Sequence, residues 1–427
     1  MVSGKKTDIT RRHEGRKVSF YAALATFIFE TTQRCTSCVI LLESHDVNQH
    51  RRCNLDISYM NVERFIKPIF PFLRLKHLMT LILIVYGIIH SRSLEYAEIA
   101  RHTMTETSHH HTKKRIYRFI DNTDVDLGLL MVYWCRFVVC AFCCFGCYVP
   151  VIVDITWVNG HKYLVAAIPF CFRSIPVAFR RFTDEEIRRC SSQNQIEDDF
   201  FSWLRMTLWN YRVVIIADRG FRRTSLLQFL GGLGLDYVIR VCGNVWVQTN
   251  KDARDKYSGI LGEIRLRSGE RRYLHNASYH KTLQVPVHLV LGKLKPESKK
   301  RGRKLEAWYI ATSLSDLDKA YELYEKRFWI EEMLRDFKSR FHWCKYKVKT
   351  DRRREMLTFC LMVSYTMVAL LGYQVQKTNR APKVSSYGKS SITWLGIGVI
   401  KHKKESASTL FRQIRRRLDR IAYKTAA

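Results

Sequence analysis

The sequence predicts an α/β protein, with a mixed sheet domain split by a β-rich insertion and a helical segment ahead of it. Three observations lead there. Between residues 149 and 235, strand-like runs (VPVIVDITWV, HKYLVAAIPF, SIPVAFRRF and, later, RVVIIADRG) are interleaved with a helical pattern around Ile196 to Trp209. From Asp236 to Thr312 the chain is β-rich. A long helical pattern then returns over Ser315–Arg340. This order suits an α/β sheet whose last helix has been displaced in sequence by the insertion.

Taken in order, residues 1–60 carry no clear periodicity. Their basic start, MVSGKKTDITRRHEGRK, leads into FYAALATFIF, which is short and lacks a clear cleavage site, so no secretory signal is expected. Residues 61–145 read as helical and include SLEYAEIARH and the basic amphipathic TKKRIYRFIDN. Phe137 to Val153 is uncharged and just long enough to span a bilayer, but Gly146 and Pro150 interrupt it. It reads better as a buried helix ending near Gly146 and a buried strand from Val149. Gly220 is placed to end RVVIIADRG and open the next helix. A basic loop, KLKPESKKRGRK, covers Lys293 to Lys304, and a further helix is expected over Arg353–Gly372. The expected division is 1–60 as an unassigned extension, 61–145 as a helical DNA-binding domain, 146–235 with 313–375 as the catalytic domain, 236–312 as the insertion and 376–427 as a basic tail.

The chain has 427 residues, with 72 Lys and Arg against 39 Asp and Glu, a net charge of +33. Such an excess points first to nucleic acid and second to a membrane surface. A hydrophobic content of 47% excludes a wholly disordered basic tail. The 13 cysteines are odd in number, and five of them crowd into Cys135 to Cys147, so reduced thiols and a cytoplasmic protein are expected. Cys35-x2-Cys38 with Cys53 and His45 or His50 has only partial zinc spacing. The thiols of CAFCCFGC sit in an apolar helix, where they act as small hydrophobes. His109 to His111 are adjacent and diverge by about 100° each on a helix.

Asp154 closes the apolar run VPVIVD and Asp218 closes VVIIAD. Two carboxylates at adjacent strand ends cannot both ionise cheaply without a cation between them. Hard oxygen ligands suit Mg²⁺ or Mn²⁺. A third carboxylate from a helix crossing the sheet would complete a site for two metals about 4 Å apart, able to act at a phosphate. In YEKRFWIEEMLRDFK the adjacent Glu331 and Glu332 compete for that part. On one continuous helix Tyr324, Arg327, Glu331 and Lys338 share an arc of about 60°, and Glu332 falls outside it. Arg327 and Lys338 would grip phosphate beside Glu331. The plainer reading is a solvated face with an Arg327–Glu331 ion pair worth a few tenths of a kcal/mol.

The spacing Tyr-x2-Arg-x3-Glu-x6-Lys, met by Tyr324, Arg327, Glu331 and Lys338, resembles the signature of bacterial insertion-sequence DDE transposases with a β-strand insertion, in the group named for insertion sequence four. VIVDIT and IIADRGF resemble that family's first two acidic motifs, AWYIATSL (Ala307 to Leu314) the segment closing its insert, and RIYRFIDN (Arg115 to Asn122) its N-terminal domain. The resemblance runs from near residue 62 to near residue 400. It implies a ribonuclease-H-like catalytic fold and cut-and-paste transposition through a probable hairpin intermediate. It also implies two Mg²⁺ ions, with Mn²⁺ as a substitute, held by Asp154, Asp218 and Glu331. Arg327 and Lys338 would hold terminal phosphates, with Tyr324 on or beside them. Trp308 is the candidate for stacking a displaced base, with a core Trp as the competing role. Arg219, Arg222, Arg223 and Arg240, with Lys300 and Arg301 in the basic loop, are candidates for the DNA backbone. Base reading falls to residues 93–122, as two helices of a helix-turn-helix-like unit or as a packed bundle with a basic face. The implied partners are duplex DNA with terminal inverted repeats, target DNA and a second copy of the chain on DNA, with no membrane and with a bacterial nucleoid setting. A DNA-binding remnant that no longer cuts and a basic membrane-associated protein are the rival readings.

Overall fold

Alternating and continuous apolar runs build β1 (Val149–Val158), β2 (His161–Phe170) and β3 (Arg173–Phe182), joined by two tight hairpins. In the first turn Asn159 and Gly160 both take positive φ, 50° and 78°, the geometry that matches the twist of a two-residue hairpin. The second turn has the same hand, φ 47° and 60°, but places Cys171 and Phe172 there. The computed structural model describes residues 59–103, 105–143, 148–189, 192–249, 256–293, 307–377 and 391–402. All of them fall in one unit within Arg51–Phe411. Lys300, Arg301, the Cys35–Cys53 cluster and the basic tail beyond 402 lie outside the described residues.

β4 (Val213–Ala217) and β5 (Asp236–Val241) continue the sheet, both parallel to β1. The insertion strands follow without a gap: β10 (Trp308–Thr312) pairs antiparallel with β5 on one side and with β9 (Val285–Gly292) on the other. β8 (Arg271–Tyr279), β6 (Trp246–Gln248) and β7 (Ser258–Ile260) complete a single ten-stranded sheet ordered β3-β2-β1-β4-β5-β10-β9-β8-β6-β7. β1, β4 and β5 are buried along most of their length, as expected of parallel strands covered on both faces.

Ahead of the sheet come α1 (Tyr59–Ile66), α2 (Leu75–Ser91), α3 (Tyr96–Arg101), α4 (His109–Asp121) and α5 (Leu127–Phe142). The short helix α6 (Asp184–Arg189) follows β3, and α7 (Gln193–Thr207) and α8 (Thr224–Gly232) flank β4. After the insertion come α9 (Leu317–Glu325), α10 (Phe328–Arg340), α11 (Asp351–Lys377) and α12 (Ile392–His402). α11 is apolar on every side, which suits a helix buried all round. It is long and apolar enough to cross a membrane, yet 94% of its most apolar window is buried inside the protein. It joins the N-terminal helices to the rest: Ser364 Oγ donates to the Val85 carbonyl at 3.4 Å, and Arg352 donates to the carbonyls of Ile120 (3.1 Å) and Val125 (2.8 Å). Trp134 of α5 ties that helix to the sheet, its Nε1 donating to the Pro176 carbonyl at 2.9 Å.

Three expectations need correction. Asp154 does not end its strand: β1 runs on to Val158, because the hairpin with β2 carries the pairing to Val158↔His161. The uncharged run from Phe137 divides into helix and strand as expected, with the strand starting at Val149, and only the helix end moves, from near Gly146 to Phe142. The helix expected over Ser315–Arg340 is two helices with a break at Lys326 and Arg327. α9 packs against β5, β9 and β10, whereas α10 packs against β1, β2 and β3, so one straight rod could not serve both patches.

Candidate active site

The parallel register of β1 and β4 sets Val153 opposite Ala217, so the next residues, Asp154 and Asp218, stand side by side on neighbouring strands. Asp218 leaves β4 and caps the short turn Arg219–Phe221, its Oδ1 accepting the Gly220 N–H at 2.7 Å. Asp154 Oδ1 accepts the N–H of Ile155 at 2.8 Å. Burial pushes the Asp154 carboxyl up to about 6; Arg327 opposes that rise, and the charges of Asp218 and Glu331 add to it. The three predicted carboxylates and the arginine therefore share one electrostatic neighbourhood, supplied by β1, the end of β4 and the first turn of α10.

Within α10 the two adjacent glutamates have different partners. Glu331 accepts from Arg327 Nη2, one turn back. Glu332 is held by Arg335 and by Arg173 of β3, the latter at 3.4 Å. Glu332 is thus committed to the side of the helix that faces the β2–β3 hairpin. Glu331 and Arg327 face the strand carboxylates, as the helical arc predicts for those two.

Tyr324 is the most deeply buried member of that arc, 1% exposed, with its hydroxyl pushed up to about 12 by burial against the opposing charges of Arg327 and Arg240. It lies beneath the surface, next to the two arginines and within the field of Asp218. Trp308 is 9% exposed and packs on Tyr324 (5.1 Å), Tyr321 (5.9 Å) and Phe328 (6.3 Å). Phe328, 43% exposed with the Arg327 guanidinium 4.6 Å from its ring centre, is the more open aromatic surface here. Lys338 is half-buried on α10, three turns beyond Arg327. Arg327 itself is 7% exposed, and its Nε is buried without a hydrogen-bond partner.

Arg219 and Arg240 line a cleft of about 390 Å³ with Gly243, Asn244 and Tyr309, and Arg240 Nη2 reaches the Ala307 carbonyl at 3.5 Å. Arg222 donates to the Arg219 carbonyl at 3.0 Å. Arg223 is spoken for: it pairs with Asp198 and, at 3.5 Å, with Glu197.

Two functional neighbours escape a reading of the sequence. Asp336 is 3% exposed in its side chain and accepts from Arg173 Nε (3.0 Å) and Arg340 Nε (2.6 Å), fixing α10 against β3. The i,i+4 spacing of Asp336 and Arg340 is visible in the sequence; the partner on β3 is not. Phe328 is masked by its neighbours, reading as one more apolar helix position.

Among the described residues no three His, Cys, Asp or Glu side chains form a ready group of metal ligands. The donors present nevertheless suit a hard divalent ion: two adjacent strand carboxylates, one of them raised by burial and by like charge, would be relieved by a cation. Glu331 pairs with Arg327 through Oε1 and keeps Oε2 for such an ion.

No curated protein matches the chain. Residues 192–367 match the family model described as the transposase DDE domain, a segment that includes Asp218 and Glu331 and leaves Asp154 outside it. With the strand carboxylates and Glu331 in one neighbourhood, that match supports a DDE transposase.

Proposed function

We propose that the chain is a bacterial transposase of the insertion-sequence-four group that moves its element by cut-and-paste, with a ribonuclease-H-like catalytic core. The observation that carries the proposal is the shared neighbourhood of Asp154, Asp218, Glu331 and Arg327. The strand order β3-β2-β1-β4-β5, with β1, β4 and β5 parallel, supports the core assignment.

Asp154, Asp218 and Glu331 would hold two Mg²⁺ ions, or Mn²⁺ in their place. When bound, such ions supply activation of water and neutralisation of charge at a phosphate. The residues do the rest. Arg327, already buried and aimed at Glu331, positions the terminal phosphate and offers a planar, bidentate donor set. Lys338 adds a point charge along the same helix face. Tyr324 fixes Arg327 and Arg240 from beneath. Arg219 and Arg240 hold the backbone at the cleft, with Lys300 and Arg301 as further contacts, and Trp308 with Phe328 offers an aromatic surface for a base displaced at a hairpin. The implied setting is bacterial DNA in the cytoplasm, with inverted-repeat ends, a target duplex and a dimer at synapsis.

The Arg327–Glu331 pair also favours a second reading, a protein that binds DNA ends without cutting them. A labelled duplex carrying the flanking ends, incubated with Mg²⁺ and run on a denaturing gel, separates the two. Nicks and hairpins from wild type and Glu332→Gln, with none from Glu331→Gln, are the expected result. Cutting that survives Glu331→Gln would overturn the assignment, and intact binding without cutting by any of the three would favour the second reading.

A further inference from the structure

The segment after α10 reads WCKYKVKTDRRRE, and its lysines have no role in the site above. Exposure alternates along it: Lys345, Lys347 and Lys349 are exposed, Tyr346 is buried and Val348 is half-buried. Beyond the turn closed by the Lys345 N–H on the His342 carbonyl at 2.8 Å, that is the period of an extended chain, which sets Lys347 and Lys349 about 6.6 Å apart. Three inward anchors hold the segment rigid. Trp343 Nε1 donates to Thr358 Oγ1 at 3.2 Å, the Asn159 side-chain amide donates to the Tyr346 carbonyl at 3.2 Å, and Arg354 donates to the Lys349 carbonyl at 2.9 Å. The nearby arginines are otherwise committed: Arg352 binds backbone carbonyls of the N-terminal helices, and Arg353 binds Asp121 with both nitrogens. The three lysines are what remains to face a partner. Lys345, Lys347, Asn159 and Arg354 also line a cleft of about 250 Å³.

The position matters as much as the charge. Tyr163 lies opposite Thr156 in the β1–β2 pairing, so the two share a sheet face, and Thr156 shares its face with Asp154. Tyr346 reaches Tyr163 from that face, hydroxyl to hydroxyl at 3.4 Å. Lysine segment and carboxylates therefore stand on one side of the sheet. Asn159, beneath the segment, is about 16 Å along β1 from Asp154 at about 3.3 Å per residue. Consecutive phosphates of one strand rise about 3.4 Å each along the axis but also turn about it, so they stand about 7 Å apart, close to the spacing of these lysines.

We propose that Lys345, Lys347 and Lys349 form a second contact for duplex DNA, binding the phosphate backbone on the same side of the sheet as the carboxylates. The contact is to backbone and carries no sequence preference. It rests on the reading of the site as one that acts on DNA.

The test uses the full chain, a fluorescent duplex of random sequence and a titration of salt. Each lost phosphate contact lowers the steepness of log K against log salt by about 0.9, so the triple Lys→Ala variant should lose about 2 to 3 in slope. The triple Lys→Arg variant should keep the slope, and circular dichroism should show both variants folded. An unchanged slope in the alanine variant would overturn the proposal while leaving the function intact. A wild type that binds no duplex would remove the DNA reading itself. A loss of binding to phosphatidylserine vesicles with the DNA slope intact would reassign the lysines to a membrane surface.

Discussion

Arg173 on β3 donates through Nε to Asp336 on α10 at 3.0 Å, and the two residues lie 163 positions apart in the chain. The same guanidinium reaches Glu332 at 3.4 Å. This grip sets the rotation of α10 about its axis, and with it which glutamate faces the strands. Removing one member of a buried ion pair leaves a charge without compensation and costs about 3 kcal/mol. Arg173→Ala should therefore lower stability by about that amount, read as a shift of the urea midpoint at unchanged slope. A shift below a few tenths would mean that Arg340 alone satisfies Asp336.

The β2–β3 turn supplies a second prediction. Cys171 takes φ 47°, a conformation that costs a residue with a Cβ about 1 kcal/mol and that Asn tolerates better. The neighbouring β1–β2 turn meets the same geometry with Asn-Gly. Cys171→Asn should raise the thermal midpoint by a few degrees. A lower midpoint would show that the packing of Cys171 outweighs the strain.

α11 and α12 approach each other without side chains between them at Gly372. A Cβ there would collide with the Ile392 carbonyl oxygen, and one at Gly396 would collide with the Val368 carbonyl oxygen. Backbone cannot yield as a flexible side chain does. Gly372→Ala should cost about 3 kcal/mol or release α12, exposing it to limited proteolysis. Resistance to protease equal to wild type would contradict the close packing.

Asp121 and Arg353 form a bidentate pair at 2.7 and 2.6 Å, joining α4 to α11. Hydrogen bonding to Arg353 holds the Asp121 carboxyl below its ordinary value of 3.8. A carboxyl lowered on folding stabilises the protein above its unfolded value, and the contribution fades as pH falls through the lower, folded value. Asp121 is 43% exposed in its side chain, so solvent screening keeps the effect below about 1 kcal/mol. The stability gap between wild type and Asp121→Asn should be full at neutral pH and close below pH 3.8. A gap that widens on acidification would reverse the sign of the argument.

Much of this site is legible in the sequence, and the limits are physical. Asp154 and Asp218 stand out because each is a lone charge in an apolar run, a pattern that local composition carries. Glu331 can be told from Glu332 because the arc from Arg327 lies within one helix. The break between α9 and α10 is not legible, because nothing in YEKRFW breaks a helix: Lys and Arg are good helix formers, and no Gly or Pro intervenes. The break at Arg327 is imposed by the two sheet patches that α9 and α10 cover. The β2–β3 partner of Asp336 and the joining of insertion to core through β5 and β10 depend on pairings far apart in sequence, which no window can show. The burial of Trp308 follows from the same joining, since β10 carries it against α9.

The β5–β10 pairing also orders events on the ribosome. β1, β4 and β5 can pair as soon as residues up to Val241 have emerged, which brings Asp154 and Asp218 together early. Glu331 follows only after the whole insertion, and at about 10 residues per second the delay from Asp218 is about ten seconds. β10 docks on β5 to complete the surface on which α9 settles, whereas α10 settles on β1, β2 and β3. A chain still being translated therefore brings two of the three candidate acids together well before the third has emerged.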